Sequence, residues 1–144
     1  MSESTLKIKT IHHVSLPVSD LKRAEQFYES ILGLVKIARP PFDFEGAWYQ
    51  LGDRQLHLIV HDGSTFRAGK GVDSHDIHFA IRVSSYRDAR NFLRSKGYHP
   101  DAEEEFKKMR ENPKATAGFP QLYIMDPDRN VIEFNAEQLD LDEA

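Results

Sequence analysis

Three histidines and one glutamate could do chemistry together in this chain. His13, His57 and His78 each sit in a short stretch that alternates apolar and polar residues, and so does Glu133. Side chains alternate strictly between the two faces of a strand, so the phase of each stretch decides which way its polar residue points. His13 points away from Val14, Leu16 and Val18, and His78 away from Ile77, Phe79, Ile81 and Val83. His57 points away from Leu56, Leu58 and Val60, and Glu133 away from Ile132 and Phe134. Taken singly, each histidine reads as a hydrogen-bonded or surface residue. Taken together, three imidazoles and a carboxylate in one phase read as ligands for one divalent ion. Zn²⁺, Ni²⁺, Co²⁺, Mn²⁺ and Fe²⁺ are all compatible with that donor set. His12 is expected on the opposite face, packed or hydrogen-bonded, and His61, His75 and His99 fall in turn-like stretches open to solvent.

The elements that must position these residues come as a duplication. Ile11 to Asp20 returns as Asp76 to Ser85, and an offset of 65 residues (His13 onto His78) also pairs Leu16 with Ile81, Val18 with Val83, Ala24 with Ala89 and Phe27 with Phe92. A register shared over that length marks two related halves. In the first half a strand over 11–18 runs into a helix capped by Ser19 or Asp20, with Leu21, Ala24, Phe27, Tyr28 and Ile31 at helical spacing and Gly33 as its left-handed stop. Val35 to Arg39 reads as a second strand ended by Pro40-Pro41. Gly46 to Leu51 and Gln55 to Val60 form a hairpin about Gly52-Asp53. The second half repeats the strand over 76–83, then a helix capped by Ser84 or Ser85 and closed by Gly97. Its closing strands are Gln121 to Met125 and Val131 to Asn135. The acidic and basic run from Asp101 to Gly118 stays open between a solvated helix, an edge strand and a loop.

The reading is therefore one α+β domain over 1–144. It comprises a β-α-β-β-β module over 8–62, a glycine-bearing linker over 63–75, a second module over 76–136, and an acidic, solvated tail over 137–144. At 144 residues, 40% hydrophobic and 29% charged, the chain can bury a core without covalent staples. With no cysteine there is no disulfide and no thiolate ligand, which leaves a metal to imidazole and carboxylate and fits a reducing cytoplasm. A net charge of −4 gives no basic footprint for nucleic acid, and no apolar run is long enough for a signal peptide or a membrane span.

Ile11-His12-His13-Val14 through Asp20-Leu21, then Phe27-Tyr28, Leu32-Gly33-Leu34, Asp126-Pro127-Asp128 and Ile132-Glu133-Phe134, resembles the vicinal oxygen chelate superfamily over about residues 8 to 136. That superfamily includes glyoxalase I, methylmalonyl-CoA epimerase, extradiol dioxygenases, fosfomycin-resistance thiol transferases and bleomycin resistance proteins. The resemblance implies paired βαβββ modules forming a cup-shaped mixed sheet with helices on its outer face, often completed between two subunits, hence a homodimer. It implies His13, His57, His78 and Glu133 as the four ligands of a single metal. This sequence departs from the pattern twice. Position 57 is His where glyoxalase I of bacteria has Glu and the epimerase Gln, and Arg129 stands where glycine usually follows Asp-Pro-Asp.

Three neutral imidazoles and one carboxylate around a 2+ ion leave about +1 overall, which favours an anionic enediolate or a bidentate oxygen ligand. The expected activity is a glyoxalase I-like lyase or isomerase on a small substrate with two vicinal oxygens, with Glu133 as the base. The alternatives are an Fe²⁺ extradiol dioxygenase using His13, His78 and Glu133, a thiol transferase with the same ligands, and a non-enzymatic ligand- or drug-binding protein. Side chains of the same strand phase, Ser15, Trp48, Gln50, Arg82, Gln121 and Tyr123, are expected to line the substrate pocket. Phe42, Phe44 and Phe66 fall on connections, where aromatics close a lid or bury a dimer contact.

Overall fold

The computed structural model describes residues 5–61, 63 and 67–142. The order is β1 (His13–Val18), α1 (Leu21–Ser30), β2 (Val35–Ile37), β3 (Gly46–Leu51), β4 (Arg54–Val60), β5 (His78–Arg82), α2 (Tyr86–Ser95), β6 (Arg110–Asn112), β7 (Gln121–Met125) and β8 (Val131–Asn135), with one 3-10 turn over Glu105–Lys107. Two four-stranded sheets result, ordered β1-β4-β3-β2 and β5-β8-β7-β6. In each, the first strand of the module lies parallel to the last and the other pairs are antiparallel. This is the α+β pairing of two βαβββ modules that the duplication implied, and the sheets do not close into a barrel. Among the described residues no helix is long and apolar enough to cross a membrane.

The helices start where the caps say they should. Asp20 accepts the Arg23 amide at 3.0 Å and Ser85 accepts the Asp88 amide at 3.0 Å, so each module uses the second of its two candidate caps. After α1 the chain turns through Gly33 at φ 69°, a left-handed angle that costs glycine nothing. Both helices lie on the apolar faces of the sheets. A single core draws Val18, Tyr28, Tyr49, Leu56 and Leu58 from the first module and Leu93, Leu122, Ile124, Ile132 and Phe134 from the second. The modules are also joined by polar contacts around the turn before β8. The Tyr28 hydroxyl donates to buried Asp126 at 2.7 Å, Ser19 Oγ donates to Asp128 at 2.6 Å, and Asn130 Nδ2 donates to the Pro17 carbonyl at 3.3 Å.

The structure differs from the sequence reading in three places. The stretch left open contains the 3-10 turn and β6, which supplies the outer strand of the second sheet. β2 is only three residues long, ending before Ala38. The tail is not simply solvated: Leu139 and Leu141 pack on the core, and Asp140 accepts from Ser85 Oγ at 2.5 Å and the Arg87 amide at 2.8 Å, an acid at the N-terminus of α2. Arg129, where the family pattern has glycine, takes a left-handed φ of 71°. Its guanidinium binds Glu105 through two nitrogens and the Lys70 carbonyl at 2.9 Å, and lies 4.7 Å from the Phe106 ring centroid. Those contacts offset the backbone strain of a side chain at that angle.

Candidate metal and substrate site

Register fixes which side chains meet on the face away from the helices. In the second sheet, Ala80 of β5, Glu133 of β8 and Tyr123 of β7 form one cross-strand row; Arg82, Asn135 and Gln121 form the next. Because Ala80 is small, His78 reaches diagonally to Glu133, and its Nε2 lies 3.2 Å from Glu133 Oε1. The other ring nitrogen, Nδ1, is 2.8 Å from the Asp76 carbonyl, which can only accept, so Nδ1 carries the proton. At this spacing a protonated Nε2 would donate to Glu133, whereas a neutral His78 would turn a lone pair toward Oε1, an arrangement that a cation beside both atoms relieves. Ligands at about 2.0–2.2 Å from one ion stand about 3.0–3.4 Å apart for angles between octahedral and tetrahedral, which is the spacing seen. This half of the donor set fits a divalent metal.

Glu133 is 4% exposed and is held from its other oxygen. Asn135 Nδ2 donates to Oε2 at 2.6 Å, with Gln121 Nε2 at 3.5 Å. Burial first, then the neighbouring Glu133 carboxylate, pushes the Tyr123 pKa up to about 12, so the phenol keeps its proton. Its ring meets His78 edge-on, with centroids 5.5 Å apart.

The first sheet carries the other pair in equivalent places. Ser15, His57 and Trp48 form the row that corresponds to Ala80, Glu133 and Tyr123. His57 is sandwiched: its centroid is 4.0 Å from that of Trp48 at an interplanar angle of 3°, and 4.0 Å from that of His13 at 20°. Its Nε2 lies 2.8 Å from Gln55 Oε1, which accepts and so assigns the proton to Nε2 and leaves Nδ1 as the free lone pair. Burial first, then the neighbouring His13, His12 and Arg39, pull the His57 pKa down to about 4. The ring is therefore neutral at physiological pH, the state a ligand requires.

The structure thus brings together His13 with His57 and His78 with Glu133. It does not bring together all four: among the described residues no three His, Asp or Glu side chains form a group that could hold a metal ion. A cleft of about 790 Å³ between β1 and β5 is lined by both His13 and His78, together with Arg54, Leu51, Phe79 and Arg82. Of the expected pocket residues, Trp48, Tyr123 and Gln121 stand beside the two pairs, and Ser15 is exposed on β1. Gln50 is turned aside, its amide donating to the Gly52 and Arg54 carbonyls across the hairpin turn. The Arg82 guanidinium lies 5.1 Å from the Phe119 ring centroid, with its Nε on Asn135. Phe42 and Phe44 stack at 5.0 Å beneath Arg39, Phe42 reaches Trp48, and Phe66 lies outside the described residues.

Sequence reasoning missed His12, Gln55 and Asn135. The last two sit two positions from His57 and Glu133 on the same strands, so the alternation that picked out the candidate ligands also pointed to them. His12, expected packed or hydrogen-bonded, is exposed and hydrogen-bonded, its Nδ1 2.8 Å from His13 Nδ1. It precedes the first residue of β1, where alternation no longer governs direction.

Comparison with known proteins agrees with this fold. The sequence profile of the Glyoxalase/Bleomycin resistance protein/Dioxygenase superfamily matches residues 10–134. No curated protein sequence matches the chain. Among solved structures, a glyoxalase family protein from Bacillus anthracis is 20% identical with a TM-score of 0.73, the match covering 92% of this chain and 98% of that one. A lactoylglutathione lyase from Agrobacterium tumefaciens is 16% identical with a TM-score of 0.64, covering 91% and 96%. A variant of the fosfomycin resistance protein FosX from Listeria monocytogenes, complexed with Mn(II) and 1S,2S-dihydroxypropylphosphonic acid, is 17% identical with a TM-score of 0.68, covering 92% and 95%. At these identities the structural matches speak for the fold alone, whereas the profile spans most of the sequence. The chain belongs to the Glyoxalase/Bleomycin resistance protein/Dioxygenase superfamily, the vicinal oxygen chelate proteins.

Proposed function

We propose that the protein is a divalent-metal-dependent lyase or isomerase of glyoxalase I type, acting in the cytoplasm on a small substrate with two vicinal oxygens. His13, His57, His78 and Glu133 are its ligand set for one Zn²⁺, Ni²⁺, Co²⁺, Mn²⁺ or Fe²⁺ ion. The observation that carries this reading is the His78 Nε2 to Glu133 Oε1 spacing of 3.2 Å between two atoms that are both lone-pair donors when His78 is neutral. A homodimer, with the first-module pair of one protomer facing the second-module pair of its partner, supplies all four ligands. In favour of that arrangement, Ile11 and Ile77 beside the two histidine strands are 72% and 71% exposed, apolar surface suited to burial against a second copy.

When bound, the ion supplies Lewis acidity, which lowers the barrier to removing a proton from the carbon next to the chelated oxygens. The chain's own residues do the rest. Glu133 Oε1, once displaced from the ion by the substrate, would accept that proton and return it to the neighbouring carbon, while Oε2 stays on Asn135. The Tyr123 phenol keeps its proton beside the same carboxylate. Trp48 and Tyr123 wall the site with flat apolar surface, and Ser15, Gln121 and Arg82 offer polar contacts to the substrate oxygens.

The test is metal content and turnover together. Purified protein is expected to hold one ion per ligand set, to lose it to a chelator, and to convert a hemithioacetal when Ni²⁺ or Zn²⁺ is restored. A folded protein that never holds a stoichiometric ion refutes the reading, and aerobic ring cleavage of a catechol with Fe²⁺ would replace the lyase by a dioxygenase. His57→Ala is expected to weaken metal affinity; unchanged affinity would make His57 a wall of the pocket between Trp48 and His13.

A further inference from the structure

Glu133 is not held alone. Asn135 stands two residues further along β8, on the same face, and directly opposite Arg82 on β5 and Gln121 on β7. Arg82 Nε donates to Asn135 Oδ1 at 2.5 Å, and Asn135 Nδ2 donates to Glu133 Oε2 at 2.6 Å. Glu133 Oε1 then faces His78 Nε2, whose Nδ1 is fixed on the Asp76 carbonyl. The result is a chain from an exposed cation through a buried amide to a buried carboxylate, with Asn135 6% and Glu133 4% exposed.

We propose that Arg82 and Asn135 are positioning residues that immobilise Glu133 Oε2 and so present Oε1 as a single, fixed oxygen beside His78. This inference rests on the metal reading above and deepens it. An amide whose oxygen accepts from a guanidinium is polarised, and its N–H donates more strongly. A carboxylate pinned on one oxygen by such a donor cannot swing to bind an ion through both oxygens. It meets the ion with its orientation already set, as hydrogen-bonded carboxylate ligands in metal sites do. Without the chain, Glu133 would have to be ordered at the moment of binding, and metal affinity would fall. The first module has no counterpart, because the stacked His57 is fixed by Gln55 and by the rings on either side of it.

The test titrates Mn²⁺ or Ni²⁺ alone, without substrate, into the metal-free full-length protein at one pH. Relative to wild type, Asn135→Leu is expected to weaken binding by about 10–100-fold and Arg82→Leu by about three- to ten-fold in the same direction. Arg82→Lys, which keeps a cationic donor, is expected to restore most of the loss. The double variant N135L/R82L is expected to bind no more weakly than N135L, since the arginine acts only through the asparagine. Arg82 is exposed, so R82L carries the test without disturbing the interior if N135L does not melt cooperatively. Variants that melt cooperatively and bind as tightly as wild type overturn the inference, as do losses that multiply in the double variant. A wild-type protein that binds no stoichiometric ion overturns it together with the reading beneath it, and that failure is visible without any variant.

Discussion

Replacing His57 with phenylalanine should flatten the acid sensitivity of the metal-free protein. His57 is 6% exposed, and its pKa falls from 6.5 to about 4 through burial first and then the charges of His13, His12 and Arg39. The direction follows from proton counting. Between pH 6.5 and 4 the unfolded chain protonates this ring and the folded chain does not, so the unfolded state binds more protons and stability falls as pH falls through that window. With those two pKa values, linkage gives a loss of about 2 kcal/mol between pH 7.5 and pH 5 from this residue alone. Phenylalanine keeps a flat ring between Trp48 and His13 and removes the titration. Urea unfolding at one protein concentration, with chelator present, is measured for both proteins at the two pH values. Wild type is expected to lose about 2 kcal/mol more than His57→Phe over that interval. Equal pH dependence, within about 0.5 kcal/mol, would refute the claim that the folded environment keeps this imidazole neutral.

Two further expectations concern what holds the half-sites in register. Tyr28→Phe removes the hydroxyl that donates at 2.7 Å to buried Asp126, and a lost bond to a charged group costs about 1.5–3 kcal/mol; a shift in urea midpoint worth under 0.5 kcal/mol would show that this tie between the modules contributes little. Gly46→Ala would put its Cβ 2.3 Å from the Leu58 carbonyl oxygen across the β3–β4 pair, so that β3 must shift, at a cost of about 1–3 kcal/mol; thermal unfolding checks this, and an unchanged melting temperature would count against it.

What was legible in the sequence was whatever obeys a fixed period. Strand phase placed His13, His57, His78 and Glu133 on the faces away from the core, and helix spacing with a cap and a glycine gave α1 and α2. β6 was not legible, because Arg110-Glu111-Asn112 has no apolar alternation and becomes a strand by pairing with β7 rather than by its own pattern. The packed tail was hidden for a similar reason. Asp140 looks like one more acid in an acidic run until α2 presents its unpaired N-terminal amides to it.

The way the four proposed ligands divide follows from the same limit. Alternation along a strand says which face a side chain takes, but nothing about how far apart two sheets stand. That distance depends on how the modules pack, and here one core cluster draws side chains from both sheets and both helices. The imidazole pair and the imidazole–carboxylate pair are each assembled within their own module, by register, with His13 and His78 both lining the cleft between β1 and β5. Under the proposed function each pair supplies two donors where an ion needs about four, and the second copy proposed above supplies the rest. Dilution of the wild-type protein through its dimer dissociation is then expected to release metal in step with the dimer. Retention of a tightly bound ion by the monomer would show that one chain suffices.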